Sequence, residues 1–195
     1  MASSGLQLLG FLLALAGVAA TVTATLMVEW KKQSQGKHRS YEGLWSSCTG
    51  TERTTCESYE SMLKLPTEVQ ATRAVMLLSL LLSAIAMVVS TVGMKCTHFM
   101  DRMPDSKSTT AMVGGIIFMV SGLLTIIITS WYVNMIVKTF QESHRLQSYD
   151  FGKAVFVSWA GGLLTVAGGA FLSCRRCCGS QSSESISSNI KSNYV

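Results

Sequence analysis

Charge is scarce in this chain. Lys, Arg, Asp and Glu make up 14% of its 195 residues, against about 25% in soluble domains. Prolines number two, Pro66 and Pro104, so little interrupts long helices. No ionisable residue lies deep within any of the long apolar runs. Pumps and transporters usually place charged groups there, so their absence argues against a pathway through the spans. Any ion selectivity must then reside in the loops. There is no phosphate-binding loop, nucleophile elbow or pair of catalytic carboxylates. His38, His98 and His144 are isolated from one another, and none clusters with Cys174, Cys177 and Cys178, which argues against a zinc site there. The expectation is a protein that is not an enzyme and takes no metal, cofactor or nucleic acid. No Asn-x-Ser/Thr glycosylation site is present. Met1 to Gly5 carry no Lys or Arg, unlike the basic start of a secretory signal. The first apolar run therefore reads as a retained helix.

What is present is hydrophobicity, at 48% of residues, gathered into four blocks. They place membrane helices within 1–28, 74–94, 111–137 and 154–173. Each block reaches the roughly 20 residues needed to cross a ~30 Å hydrocarbon layer. Four strands could not close a barrel, and an open sheet edge is not tolerated in lipid. The expected fold class is an all-α transmembrane four-helix bundle carrying a small extracellular antiparallel β-sheet. The connecting segments are loop 29–73, loop 95–110, loop 138–153 and tail 174–195. The third block spans about 40 Å as a helix, so it tilts or projects beyond the bilayer. Glycines at 114, 115, 122, 161, 162, 168 and 169 fit close helix packing.

Sidedness follows from the cysteines. Cys48 and Cys56 lie in the first loop, and pairing needs an oxidising compartment. Cys96, Cys174, Cys177 and Cys178 sit past helix ends on the opposite side. Such juxtamembrane thiols are candidates for S-palmitoylation. Cys174 and Cys177 also spell C-x-x-C, but the adjoining Cys178 and the Arg175-Arg176 pair fit a lipidated helix end better than a redox pair. This assignment puts both termini in the cytoplasm. A count of Lys and Arg points the other way, because Lys31, Lys32, Lys37, Arg39, Arg53, Lys64 and Arg73 all fall in the first loop. The cysteine argument is preferred, since a disulfide-closed fold is not a short polybasic anchor.

The first loop is long enough to fold. Residues 30–39 and 40–47 read as strands about a Gln35-Gly36 turn, and the Thr-rich run to Tyr59 as a further strand. Pro66 marks a helix start, with 67–73 expected as a short helix on the membrane. The Ser- and Asn-rich stretch from Gly179 onward reads as disordered.

Trp30, then Gly43-Leu44-Trp45, Cys48 and Cys56, with Arg73 before the second span, closely resemble the signature of the claudin family of tight-junction proteins. Further similarity lies in Gly5-Leu6-Gln7-Leu8-Leu9-Gly10-Phe11, Gln70-Ala71-Thr72-Arg73-Ala74, Gly93-Met94-Lys95-Cys96, Tyr149-Asp150-Phe151-Gly152 and Trp159-Ala160-Gly161-Gly162, so it covers almost the whole chain. The resemblance implies a left-handed bundle topped by the sheet, located in the plasma membrane at the tight junction. It implies assembly with other claudins in cis and in trans into strands that seal or filter the paracellular space. Met62 would insert into a neighbour's pocket formed by Phe140 and Phe151. Glu57 matches a position that tunes charge selectivity, with Lys31 and Arg53 opposing its sign. The terminal Tyr194-Val195 suits a PDZ groove, and in the family this ending engages zonula occludens scaffolds. Membrane lipids are the remaining expected partners.

The chain departs from that pattern in three places. The interval from Trp30 to Gly43 is about five residues short, one strand's length. The interval between Cys48 and Cys56 is trimmed too. Gln141-Glu142-Ser143 follows Phe140 where the family has a second aromatic and a proline. These changes bear on trans pairing and on pore formation. They keep a second reading open, an auxiliary subunit of a channel or receptor from the wider superfamily. The proposed sidedness has a direct check. A membrane-impermeant thiol reagent applied to intact cells is expected to leave Cys174 unmodified, and labelling from outside would invert the topology.

Overall fold

Apart from Arg73, residues buried along the second helix fall at 72, 76, 79, 83, 86, 90 and 93. That alternation of four and three is the seam of a left-handed helix pair. The residues on it are Thr, Met, Ser, Ser, Ala, Ser and Gly, while Leu77, Leu78, Leu81, Ile85 and Val88 are exposed. This inverts the soluble pattern, as lipid requires. Leu gains nothing by leaving hydrocarbon tails, whereas small residues let helices approach closely.

A computed structural model describes residues 2–35, 38–50, 55–59, 66–93, 104–142 and 148–191. The elements are α1 (Ala2–Leu26), β1 (Lys31–Gln35), β2 (His38–Glu42), β3 (Ser46–Gly50), β4 (Thr55–Ser58), α2 (Thr67–Gly93), α3 (Pro104–Glu142), β5 (Ser148–Phe151) and α4 (Lys153–Lys191). Four stretches are long and apolar enough to cross a membrane: Gly5–Leu26, Thr67–Gly93, Thr109–Lys138 and Lys153–Ser173. The expected four-helix bundle with a small antiparallel sheet is thus the observed fold.

Around the bundle α1 packs on α4, α4 on α3 and α3 on α2. Glycines set the approach. A Cβ on Gly168 would lie 2.5 Å from the Ala14 nitrogen and 2.6 Å from the Gly10 carbonyl oxygen. Gly122 and Gly162 face each other across α3 and α4 in the same way. Hydroxyls stitch the remaining seams. Ser79 Oγ lies 2.7 Å from Thr125 Oγ1, Ser83 Oγ donates to Ser121 Oγ at 3.0 Å, and Thr129 Oγ1 lies 2.8 Å from Ser158 Oγ. Such bonds contribute about 0.6 kcal/mol each in membrane proteins.

Several expectations need correction. Thr67 to Arg73 is not a separate surface helix; it is the first two turns of α2, continuous with the span. α3 begins at Pro104, before the expected 111, and runs to Glu142. A proline in the first turn has no amide that the helix would miss. At 39 residues α3 is about 58 Å long, so it projects beyond the bilayer. The helical backbone of α4 continues through the stretch expected to be disordered, to Lys191. Propagating an existing helix avoids the nucleation cost, even through residues of modest propensity.

The sheet order is β4-β3-β2-β1-β5, all neighbours antiparallel. The single strand expected over 40–47 is instead two, β2 and β3, because the chain turns at Gly43-Leu44-Trp45, where the Gly43 amide donates to the Ser46 carbonyl at 3.0 Å. Gln35 pairs with His38, while Gly36 and Lys37 lie outside the described residues. The fifth strand, absent from the sequence reading, comes from loop 138–153 and pairs with β1, Lys31 opposite Phe151. Both loops therefore sit at one end of the bundle.

Gly168 provides the test of the packing. Gly168→Val should force α1 from α4 and cost about 1–3 kcal/mol by overpacking, seen as a lower thermal midpoint in detergent. Leu163→Val, at an exposed position on the same helix, should leave the midpoint unchanged.

Candidate functional site

Where the sheet meets the bundle, three successive carbonyls are captured. Gly43 O accepts from the Tyr59 hydroxyl at 3.4 Å. Leu44 O accepts from Arg73 Nε. Trp45 O accepts from the Tyr59 amide at 3.4 Å. A loop that turns under a sheet leaves its carbonyls without ladder partners, and these three bonds satisfy them. Leu44 is fully buried in the same core as Trp30, Met76, Tyr132 and Val155, with Trp45 against its edge.

Arg73 is only 7% exposed, and among the described residues no carboxylate pairs with it. Its charge is instead met by aromatic faces. The guanidinium carbon lies 5.1 Å from the centre of the Trp45 ring and 5.4 Å from that of Tyr59. A desolvated cation gains about 2 kcal/mol or more from such faces. Among the described residues Arg73 Nη2 and Trp45 Nε1 are buried without acceptors, so the guanidinium acts there through Nε and its flat faces. Burial, reinforced by the charge of Glu42 and opposed by Arg73, holds the Tyr59 phenol above its ordinary pKa. Tyr59 thus remains a neutral hydrogen-bond donor at physiological pH.

Trp30 joins the other side. Its indole Nε1 donates to Ala24 O at 2.9 Å, one of the carbonyls left open at the end of α1. Its ring meets Tyr132 of α3 edge-on, centroids 5.6 Å apart. Its amide donates to Glu42 O at 3.1 Å, and its carbonyl accepts from the Gly152 amide at 3.2 Å. Gly152 is required here, because a Cβ would strike the Glu29 backbone.

Cys48 and Cys56 are opposite residues of β3 and β4 and form a disulfide, Cα atoms 4.0 Å apart. Trp30, Gly43, Leu44, Trp45 and Arg73 are thus brought into one anchor, with the staple on the sheet beyond it. Lys31 Nζ pairs with Glu42 at 3.4 Å. Glu57 is exposed on β4, opposite Ser47 of β3. Phe151 is exposed at the end of β5, 44% accessible. Met62, Arg53, Cys96, Tyr194 and Val195 lie outside the described residues, as do the side chains of Phe140, Cys174, Cys177 and Cys178. Sequence reasoning missed Tyr59. It is the sole aromatic between Cys56 and Arg73, and a buried Arg without an acid needs an aromatic face. Among the described residues no three His, Cys, Asp or Glu side chains cluster to hold a metal.

Comparison with known proteins finds relatives along most of the chain. Residues 4–172 match the PMP-22/EMP/MP20/Claudin family model. The chain is similar to Claudin-1 of Rattus norvegicus, 42% identical over 184 residues, covering 89% of this chain and 87% of the relative. It is 41% identical to Claudin-19 of Homo sapiens over 184 residues, covering 89% and 82%. It is 42% identical to Claudin-7 of Homo sapiens over 192 residues, covering 93% and 90%.

The anchor makes Arg73 a sharp target. Lys keeps the charge but has neither a fork nor a flat face. Arg73→Lys and Arg73→Ala should both loosen the sheet, Ala by about 2–4 kcal/mol. Hydrogen exchange should rise across 38–50 and stay unchanged across the third span.

Proposed function

The chain belongs to the claudin family, and from that premise we propose that its copies assemble side by side into strands that seal or selectively filter the space between cells. Membership supports a general tight-junction, paracellular role. The family is one of structural and adhesion proteins rather than enzymes. The observation that carries the finer reading is the intact anchor, Arg73 on the Leu44 carbonyl between Trp45 and Tyr59. It supports a sheet held rigidly over the spans, as a surface that must meet neighbours requires.

The lateral contact in this reading is Met62 of one copy in a pocket of the next that includes Phe140 and Phe151. The exposure of Phe151 at the end of β5 suits that part. Selectivity would be set at Glu57, exposed on β4, where an acid attracts cations. Lys31 is paired with Glu42 and so opposes Glu57 less than its charge suggests. The sheet and loop 138–153 face outside the cell, and both termini lie in the cytoplasm. There Tyr194-Val195 engages a PDZ scaffold, and Cys96, Cys174, Cys177 and Cys178 take palmitoyl groups.

One observation favours the second reading, an auxiliary channel or receptor subunit. The alignment with rat Claudin-1 extends over 184 residues yet takes in 89% of this 195-residue chain, about 174, so about ten positions lack a counterpart here. Expression in cells without junctional strands separates the two. Continuous strands in freeze-fracture replicas and raised transcellular-layer resistance are expected, with both lost in Cys48→Ser. Surface expression without strands would sink self-assembly and favour the auxiliary role.

A further inference from the structure

Beside the anchor lies a cavity of about 420 Å³, lined by Glu29, Lys32, Tyr41, Phe151, Lys153 and Phe156. Its place in the bilayer follows from the chain. Glu29 comes three residues after α1 ends at Leu26, and Lys153 opens the span Lys153–Ser173. The cavity floor is thus at the end of two spans, at the level of lipid headgroups. Phe156, one turn further in, is 57% exposed and closes the inner side of the cavity.

The lining is chemically divided. Lys32 lies opposite Tyr41 across β1 and β2. Lys153 is 82% exposed and its Nζ lies 4.0 Å from Glu29, the outer limit of an ion pair, so its charge is not consumed by a tight pair. Two ammonium groups and the positive end of the α4 dipole suit a phosphodiester. Three aromatic rings and one carboxylate suit a quaternary ammonium, the group aromatic cages are known to hold. An anionic lipid would satisfy the lysines but leave Glu29 repelled and the rings unused.

We propose that this cavity binds the phosphocholine headgroup of a membrane lipid, phosphate on Lys32 and Lys153, choline among Tyr41, Phe151 and Phe156 with Glu29 as counter-charge. Because Phe151 also belongs to the proposed lateral contact, the test avoids it.

Full-length protein in mild detergent is mixed with equal amounts of phosphatidylcholine and phosphatidylglycerol of matched chains, and retained lipid is read by native mass spectrometry. Phosphatidylcholine should be retained in preference. Phe156→Ala and Lys153→Gln should each lower its retention about two- to fivefold, the effect of one cation–aromatic or charge contact at a partly exposed site. Leu163→Ala, two turns deeper and 62% exposed, should change nothing. Soluble phosphocholine should compete, and glycerol phosphate should not. Equal retention of the two lipids, equal loss in Leu163→Ala, or equal competition by glycerol phosphate overturns the assignment.

Discussion

The guanidinium of Arg73 couples two parts of the molecule that obey different rules. It belongs to α2, whose register is set by helix packing in lipid, yet it holds the Leu44 carbonyl in the sheet. A buried cation without a carboxylate is costly unless something else meets its charge. Trp45 and Tyr59 do so with their faces, and those same residues belong to the segment being held. The charge, the turn and the strands on either side are therefore mutually dependent. If the turn moves, Arg73 loses its aromatic faces; if Arg73 is lost, three carbonyls lose their order.

Trp30 completes this coupling at the opposite corner. It closes the end of α1 through Ala24 O, stacks edge-on against α3 through Tyr132, and meets β2 and the Gly152 amide with its own backbone. Two helices thus meet the indole, and residues from both loops meet the backbone of the same residue. The Cys48–Cys56 bond lies farther out, across β3 and β4. Its task is distinct: it holds an exposed edge hairpin that buries too little to be stable alone, whereas Trp30 and Arg73 hold the sheet to the bundle.

The spans were legible because a bilayer imposes one length and one composition, and loop charge cannot be hidden inside it. Leu44 and Trp45 were legible as part of a family signature, though not as the residues that hold the sheet to the bundle. The turn they form was not, because Ser40 to Ser47 reads as one strand until Gly43 is seen to donate to Ser46. Strand β5 was invisible for another reason. Its four residues pair with Lys31–Ser34 from more than a hundred positions away, and only the bundle, by bringing α1 and α4 together, makes that pairing local. Helix α2 was read as two pieces, a short surface helix over 67–73 and a span over 74–94, whereas it is one helix from Thr67 to Gly93. A helix backbone does not stop where its side chains change, and α2 carries its polar first turns up to the sheet.

That extension explains why the trimmed first loop still folds. The contacts that fix the sheet come from α2 at Arg73, from α1 at Ala24 and from β5, and each meets the sheet near Trp30 or the Gly43–Trp45 turn. The two helix contacts lie at the base, and the β5 ladder stops at Ser34, before the Gln35–His38 pair at the β1–β2 tip. Hairpin tips can therefore shorten without loosening the base, just as loops tolerate length changes when their ends are held. What shortening removes is surface beyond the membrane, the part available to another molecule. Fold and partner contact are thus carried by separate regions of the same sheet, and the chain can keep the first while altering the second.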